Sequence, residues 1–410
     1  MIRLRRHPRH HRAFALSATT LLLASTACDA PESTPGLVTR DSAGVAIAIN
    51  ADFDPPEWEV GEPLLALGST SDEGPEQFFR VGGARIVEVG EERVLFVADG
   101  GASEIRRFAM DGKFLGAWGR RGEGPGEFGA PGPIWAVPGD SVAVWDRRNG
   151  RLSVFDFEGN LGREMARIPM PNVEPVAPRP DGSLLVTSNL LRMSEEFTMA
   201  ELDIALVHPD GRVDSLPSQP LALFGQVGET PRPFIVTPHF GARTVVAGDS
   251  TGYWVATGQK DELMRYTSTG ALGLIARWPE RERSIPPGAV EALLEEQLAQ
   301  VPEAMHADFR RQHAATPTAE AAAATGYAIA GPDGELWFET PEIPDREGTV
   351  WRVVNREGRL IGRLRLPEFP ERFLPLDVGR DYLVGIVRDE VGVEFVHVYP
   401  LDRTPAATGG

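Results

Sequence analysis

The stretch Ile105–Phe128, IRRFAMDGKFLGAWGRRGEGPGEF, decides the fold. An alternating apolar run leads to the tight turn Asp111-Gly112, and a second run, Lys113–Trp118, follows directly. Two such runs around an Asp-Gly turn predict a β-hairpin. The glycine-rich loop Gly122–Glu127 comes next. Versions of this unit recur along most of the chain, so the fold is predicted to be a repeat.

Two turn signals recur in the same order. The first precedes a buried-looking strand at Gly90, Gly139-Asp140, Asp181-Gly182, Gly248-Asp249, Asp333-Gly334 and Gly379–Asp381. The second lies in the following hairpin at Asp111-Gly112, Glu158-Gly159, Asp210-Gly211, Thr269-Gly270 and Glu357-Gly358. Successive first turns are 49, 43, 66, 86 and 45 residues apart. A period near 45 with four short strands is typical of propeller blades. The sequence therefore predicts an all-β, six-bladed β-propeller of four-stranded antiparallel blades over residues 37–403.

The longest interval between first turns contains helical patterns. Pro286–Gln300 places apolar residues at helical spacing, and a second helical piece covers Glu303–His313. We expect a helical insertion over residues 281–324, between the fourth and fifth blades. It is either a packing appendage or a lid over a central pocket. Near the start of the chain, Leu37–Asn50 and Trp58–Leu67 both read as strands, and either could close the ring by pairing with the last blade.

The N-terminus reads as an export signal. Residues 1–27 carry five Arg, then an apolar run, then small residues before Cys28, the single cysteine. We expect Cys28 to be the lipidated first residue of the mature chain, residues 28–36 to be a tether, and residues 404–410 to be a disordered tail. Acyl chains would hold the protein to a membrane without a transmembrane helix. The alternatives are an ordinary cleaved signal with an incidental cysteine, or an uncleaved anchor.

The charge of the chain narrows the choice of partners. Residues 1–27 contain no acidic residue, so the remaining chain carries 36 basic against 59 acidic side chains. Such a surface repels phosphate backbones and excludes nucleic acid as a partner. A single cysteine rules out an internal disulfide, so a large core must hold the fold. We expect a monomer that contacts the membrane only through its lipid anchor.

The unit Phe108–Ile134, FAMDGKFLGAWGRRGEGPGEFGAPGPI, resembles the NHL-repeat and related six-bladed bacterial propellers. Other stretches, among them DSAGVAIAIN at 41–50, GPDGELWFE at 331–339 and WRVVNREGRLIGRLRLP at 351–367, resemble a group of bacterial six-bladed lipoprotein propellers. The likeness covers about residues 37–403. It implies the propeller fold and a periplasmic or cell-surface lipoprotein of a bacterium, and it names no ligand.

Several motifs could carry chemistry. Gly248–Gly252 matches G-x-S-x-G, but a strand follows it where a nucleophile elbow needs a helix, so it reads as a turn. His208, His239 and His397 lie in different blades or loops and could meet only at the axis. His306 and His313 share one face of the predicted insertion helix. No convergent zinc set follows from these positions, and no metal ligands are assigned.

Carboxylates and aromatic residues receive structural interpretations. Asp156, Glu158 and Asn160 alternate in a hairpin and leave Ca²⁺ open as a cofactor, although a solvated turn explains them better. Asp99 and Asp146 each end the second strand of a blade, where we expect them to accept hydrogen bonds from turn N–H groups. The tryptophans fall in or beside blade strands, which favours packing between blades over sugar stacking.

Two basic pairs, Arg120-Arg121 and Arg147-Arg148, follow strands of neighbouring blades. We predict that they receive a carboxylate or another anionic group of a ligand. Pairing with Glu123 and Glu127 is the alternative.

The function that the sequence favours is binding of a small molecule, a peptide or an envelope partner at the loop-rich face of a rigid scaffold. Catalytic residues are not identifiable, and the balance is against an enzyme. The alternative is a metal-dependent propeller hydrolase, lactonase or lyase with axial ligands. A third reading is a structural envelope protein that binds other proteins through the faces of the disc.

Overall fold

A computed structural model describes residues 36–404, except 71–73, 166, 192–195, 229–233, 300, 342–349, 367–372 and 390. The predicted signal sequence, Cys28, nearly all of the tether, and residues 405–410 of the predicted tail lie outside the described residues. The N-terminal strands are β1 (Leu37–Ser42), β2 (Val45–Asn50), β3 (Glu59–Val60) and β4 (Leu65–Leu67).

Six sheets follow among the described residues. Sheet 1 has β5 (Val81–Val89), β6 (Glu92–Asp99), β7 (Glu104–Ala109) and β8 (Phe114–Trp118), and sheet 2 has β9 (Pro131–Val137), β10 (Ser141–Asp146), β11 (Arg151–Asp156) and β12 (Leu161–Glu164). Sheet 3 has β13 (Glu174–Pro178), β14 (Leu184–Ser188), β15 (Thr198–Val207), β16 (Val213–Val227) and β17 (Phe234–Val236). Sheet 4 has β18 (Val245–Gly248), β19 (Gly252–Ala256), β20 (Glu262–Thr267) and β21 (Leu272–Arg277). Helix α1 (Ala289–Ala299), a 3₁₀ turn (Glu303–Met305) and helix α2 (His306–Ala315) come next. Sheet 5 has β22 (Ala328–Ala330), β23 (Leu336–Thr340), β24 (Val350–Val354) and β25 (Leu360–Arg365), and sheet 6 has β26 (Leu374–Val378), β27 (Tyr382–Arg388) and β28 (Glu394–Asp402).

The second strand of each sheet is apolar on both faces because each sheet packs between two neighbours. In β6, Leu95 belongs to a core cluster shared with sheet 6, where it joins Val384 and Val396. The next residue, Phe96, points the other way and belongs to a cluster shared with sheet 2, with Val142. Four further core clusters lie in the same manner between sheets 2 and 3, 3 and 4, 4 and 5, and 5 and 6.

The first strands lie at the centre of the arrangement. Strands β5, β9, β13, β18, β22 and β26 contact one another in this order, and β26 in turn contacts β5. The predicted β-rich, propeller-like arrangement of antiparallel sheets is therefore confirmed. The tryptophans pack as predicted, since Trp145, Trp254 and Trp337 are fully buried between sheets.

The two N-terminal runs take different places. The run Trp58–Leu67 pairs with the last sheet, since β3 and β4 both lie antiparallel to β28. The run Leu37–Asn50 forms a hairpin that joins sheet 4, where β2 lies parallel to β21. One of the two candidate strands thus extends the last sheet, and the other widens sheet 4.

Because neighbouring strands run antiparallel, the connections of every sheet lie at the two opposite ends of its strands. We call the end where the first strand turns into the second the turn face; the connections between first and second strands there are 90–91, 138–140, 179–183, 249–251, 331–335 and 379–381. We call the opposite end the insertion face, because the connection from β21 to β22 carries α1 and α2 there. Both helices fall within the range predicted for the insertion. In the part of the chain that the structure describes, no helix is long and apolar enough to cross a membrane.

Candidate functional site

A cleft of about 470 Å³ opens on the insertion face. One wall is formed by Leu293 and Gln297 of α1 with Phe309 and His313 of α2. The opposite wall is formed by Phe224 of β16 and by residues 235–240 together with Arg243. None of the central first strands lines it. The insertion helices and the connection between sheets 3 and 4 therefore build this cleft together, beside the ring centre. We call it the insertion cleft.

Backbone hydrogen bonds fix the two walls to each other. The N–H of His239 donates to the carbonyl oxygen of Pro317 at 2.8 Å, and the N–H of Ala319 donates back to the carbonyl oxygen of His239 at 3.1 Å. The N–H of Ala323 donates to the carbonyl oxygen of Phe240 at 2.9 Å. Phe240 has φ of 59°, a conformation that is costly for a residue with a Cβ atom. The cleft wall is therefore held in a strained conformation by these surrounding bonds.

Two histidines, one from each wall, lie against each other in the cleft. The rings of His239 and His313 lie with their centroids 4.0 Å apart, and Nε2 of His239 donates to the carbonyl oxygen of His313 at 3.0 Å. His313 is 8% exposed, and its own Nε2 contacts no hydrogen-bond partner among the described residues. Burial, and then the neighbouring His239, lowers the pKa of His313 below its ordinary value. His313 is therefore a neutral aromatic surface at pH 7.

The lining of the cleft differs in charge from the rest of the chain. The chain has a formal net charge of −18, but no Asp or Glu is among the described residues that line the insertion cleft. Among these described lining residues, Arg243 is the one permanent charge; it is exposed and has no ion-pair partner in the described parts of the chain. The volume of the cleft lies within the range of sites that bind small organic molecules.

The four predicted ligand-binding arginines lie on the insertion face but do not form one site. Arg120 pairs with Glu127 at 2.7 Å, and Arg147 lies 3.4 Å from Glu174. The Gly124 N–H and then Arg120 lower the pKa of Glu127. These contacts match the alternative interpretation for Arg120, with Glu127 rather than a ligand as its partner.

Arg148 takes a different position from the other three. It lines a second depression, of about 470 Å³, together with Arg151 and Arg167, which the sequence did not single out. Arg151 lies 3.6 Å from Glu164 and donates to the backbone of the glycine-rich loop, including the carbonyl oxygen of Gly124 at 2.6 Å. Arg121 is exposed, and its backbone forms an isolated parallel β-bridge with that of Phe128. The role of the predicted arginines in ligand binding stays a prediction.

The predicted turn role of the two aspartates is present in the contacts. Asp146 is fully buried and accepts hydrogen bonds from the N–H groups of Gly129, Ala130, Arg148 and Asn149 and from the Asn149 amide, at 2.7 to 3.1 Å. Asp99 accepts from Gly101 and Ala102 and lies 3.1 Å from Arg106. Both carboxylates thus organise loops and are fully engaged.

The remaining motifs are structural as well. Residues 249–251 form the turn between β18 and β19, in which Asp249 accepts from the N–H of Gly252 at 3.1 Å. Asp156 accepts from the N–H groups of Glu158 and Asn160 in its hairpin. Within the described ranges, no group of three or more His, Cys, Asp or Glu residues could hold a metal ion.

The histidines named from the sequence lie apart from one another, except for one pair. His208 contacts Asp214 at 2.9 Å, and His397 contacts the Tyr399 hydroxyl at 2.9 Å, so neither joins His239. His306 contacts the carbonyl oxygen of Val301 and not His313. The pair that the structure brings together is His239 with His313, 74 residues apart, and sequence reasoning missed it.

Comparison with known proteins gives a likeness of fold. The sequence matches no family model, and no curated protein is similar enough to match. A solved structure of a member of the DUF4221 family from Bacteroides vulgatus superposes with a TM-score of 0.50 at 11% identity, covering 86% of this chain and all of that one.

Two further structures are more distant. A protein from Bacteroides fragilis that carries the description of an exported protein gives a TM-score of 0.46 at 14% identity, covering 85% of this chain and 97% of that one. A catalytically inactive virginiamycin B lyase from Staphylococcus aureus gives 0.41 at 12% identity, covering 84% and 99%. At these identities the similarity concerns the fold alone.

Proposed function

We propose that this chain is an exported, lipid-anchored, six-bladed β-propeller that holds a small organic molecule in the insertion cleft. The blade count is supported by six antiparallel sheets, six core clusters between neighbours, and first strands that contact one another in a ring. Strands β3 and β4 would then close the last blade from the N-terminal side, as terminal strands do when a sheet edge must be covered.

The observation that carries the binding function is the insertion cleft itself. It is built from the two longest additions to the repeat, it has the volume of a small-molecule site, and its lining combines aromatic and aliphatic side chains with polar ones. A rigid ring of sheets would support these added segments, and loops on such a scaffold are where binding residues concentrate.

The test is a titration of the purified chain, residues 28–410, with N-phenyl-1-naphthylamine, an uncharged apolar probe, followed by calorimetry. Gln297 lines the cleft and is half-buried, so Gln297→Trp should fill it and weaken binding at least about ten-fold. The matched control is Glu296→Trp, on the exposed side of the same helix. Failure of the wild-type chain to bind, or equal affinities in all three proteins, would refute the binding function.

The anchor is tested separately. Lipidation requires the Cys28 thiol, so Cys28→Ser should move the protein from the membrane fraction to the released fraction of cells that express the whole chain. If Cys28→Ser fractionates like the wild type, the chain is not held by acyl groups at Cys28.

The metal-dependent hydrolase or lyase is the competing function, and metal analysis separates it from binding alone. The binding proposal predicts less than stoichiometric divalent metal in protein purified without chelator. One tightly held divalent ion for each chain would favour the enzyme instead.

A further inference from the structure

The charge pattern of the insertion cleft points to a class of ligand. Arg243 is the single permanent charge among the described residues of the lining, and it is exposed at the cleft with no ion-pair partner that the structure describes. No Asp or Glu is among those described lining residues, although the whole chain carries 59 acidic residues. An anionic group on a ligand would therefore meet a cation and no opposing charge within the lining.

The backbone beside Arg243 is fixed. The N–H of Thr244 donates to the carbonyl oxygen of Leu221 at 2.7 Å, and the Thr244 hydroxyl donates to the carbonyl oxygen of Pro220. These bonds tie the residue that follows Arg243 to β16, the strand that also supplies Phe224 to the cleft. The backbone of Arg243 therefore lies next to an anchored residue, on the side of the cleft that Phe224 lines.

The histidine pair adds surface rather than charge. Burial and the neighbouring His239 lower the pKa of His313, which keeps that ring neutral at pH 7. The ring of His239 lies against it. Together with Phe224, Leu293 and Phe309 the pair presents aromatic and aliphatic surface beside the polar side chains of Gln297 and Gln312 and one cation.

We propose that the insertion cleft binds an apolar monocarboxylic acid, with its aromatic or aliphatic body between Phe224, Leu293 and Phe309 and its carboxylate at Arg243. This inference rests on the proposed binding function and adds the ligand class. A guanidinium is the side chain best suited to a carboxylate because its N–H groups match the two oxygens.

The test uses two probes of nearly equal shape, 1-naphthylacetate and the uncharged 1-naphthylacetamide, titrated by calorimetry at pH 7. Wild-type protein should bind the acid about ten-fold more tightly than the amide, the difference typical of one charge-assisted contact. Arg243→Gln should remove this preference and leave the affinity for the amide unchanged. Arg310→Gln, an exposed arginine of α2 outside the lining, makes the same change in net charge and should behave like the wild type.

The outcomes separate the two proposals. If the amide binds as tightly as the acid, or if Arg243→Gln weakens both probes equally, the carboxylate assignment is wrong and the cleft still binds apolar molecules. If Arg310→Gln lowers the affinity for the acid as much as Arg243→Gln does, the effect is one of overall charge and the assignment is again wrong. If neither naphthyl probe nor N-phenyl-1-naphthylamine binds, the binding function fails and this inference fails with it.

Discussion

The two faces of the molecule are held together in different ways. On the turn face the connections are two to five residues long and are tied from one sheet to the next: Arg93 contacts Asp381 at 2.9 Å, Arg380 contacts Asp333 at 2.6 Å, and Arg403 contacts Glu335 at 2.8 Å. On the insertion face the connections range from four residues to the segment that carries α1 and α2, and the buried carboxylate of Asp146 joins two of them by accepting from Gly129, Ala130, Arg148 and Asn149. The turn face thus ties neighbouring sheets together, whereas the insertion face carries the added segments that form the insertion cleft, where we propose that a ligand binds.

The largest effect is expected for the buried loop anchor of the insertion face. Asp146→Ala leaves five hydrogen-bond donors of two loops without their acceptor, so the free energy of unfolding should fall by about 3–5 kcal/mol. Asp156→Ala, which removes a carboxylate from a solvent-facing hairpin, should cost much less. Urea unfolding measures both. Equal losses would mean that the insertion face does not depend on its buried carboxylate.

A second comparison is available among the hairpins of the turn face. Gly159 and Gly211 have φ of 91° and 86°, so an alanine at either position costs about 1–2 kcal/mol of backbone strain. A Cβ at Gly159 would also lie 2.6 Å from Cγ of Trp118 in the neighbouring sheet, whereas nothing lies within 4 Å at Gly211. Gly159→Ala should therefore destabilise the protein by about 2–4 kcal/mol, well beyond the loss in Gly211→Ala. Similar midpoints of urea unfolding in the two variants would argue against tight packing of hairpins onto the next sheet.

The ion pairs of the turn face differ in burial and should differ in weight. Glu335 is 3% exposed at its side chain, so Arg403→Leu leaves a buried carboxylate without its cation and should cost about 2 kcal/mol. Arg93 and Asp381 are both about half exposed, and Arg93→Leu should cost less than about 1 kcal/mol because water screens that pair. The loss of stability in Arg403→Leu and in Arg93→Leu is compared by thermal unfolding at the same ionic strength. The reverse ranking would show that the exposed pair contributes more to the ring than the buried one.

The sequence predicts the turn face better than the insertion face, for a physical reason. Tight turns need particular residues within three or four positions, so the first turn signals locate all six connections between first and second strands on the turn face. The same local chemistry predicts the turn role of Asp99 and Asp146. Pairings between distant segments leave no such trace. Neither the parallel pairing of β2 with β21 nor the contact between His239 and His313 has a local signal.

One signal for the cleft is nevertheless in the sequence. The intervals of 66 and 86 residues are the two that exceed the repeat, and they contain the extended strands β15 and β16 and the insertion helices. Additions to a repeat form loops on one face, and binding residues concentrate in such loops. The excess length alone could therefore have pointed to the two connections that build the insertion cleft, although not to Arg243 or to the paired histidines.

The smallest expected effect is on the pH dependence of stability, through His313, a residue of the insertion cleft on the insertion face. Burial lowers the pKa of His313 in the folded chain, while the unfolded chain protonates it near the ordinary value of about 6.5. Below that pH the unfolded state binds more protons than the folded state, so stability from this residue is complete above about pH 6.5 and falls as the pH is lowered. His313→Phe keeps an aromatic ring and cannot be protonated, so its melting temperature should fall less between pH 7 and pH 5 than that of the wild type. His306→Gln, in the same helix and contacting only the carbonyl oxygen of Val301 among the described residues, is the matched control and should follow the wild type. If His313→Phe loses as much stability on acidification as the wild type, His313 is not held neutral by the cleft. The histidine pair of the insertion cleft would then carry charge at mildly acidic pH.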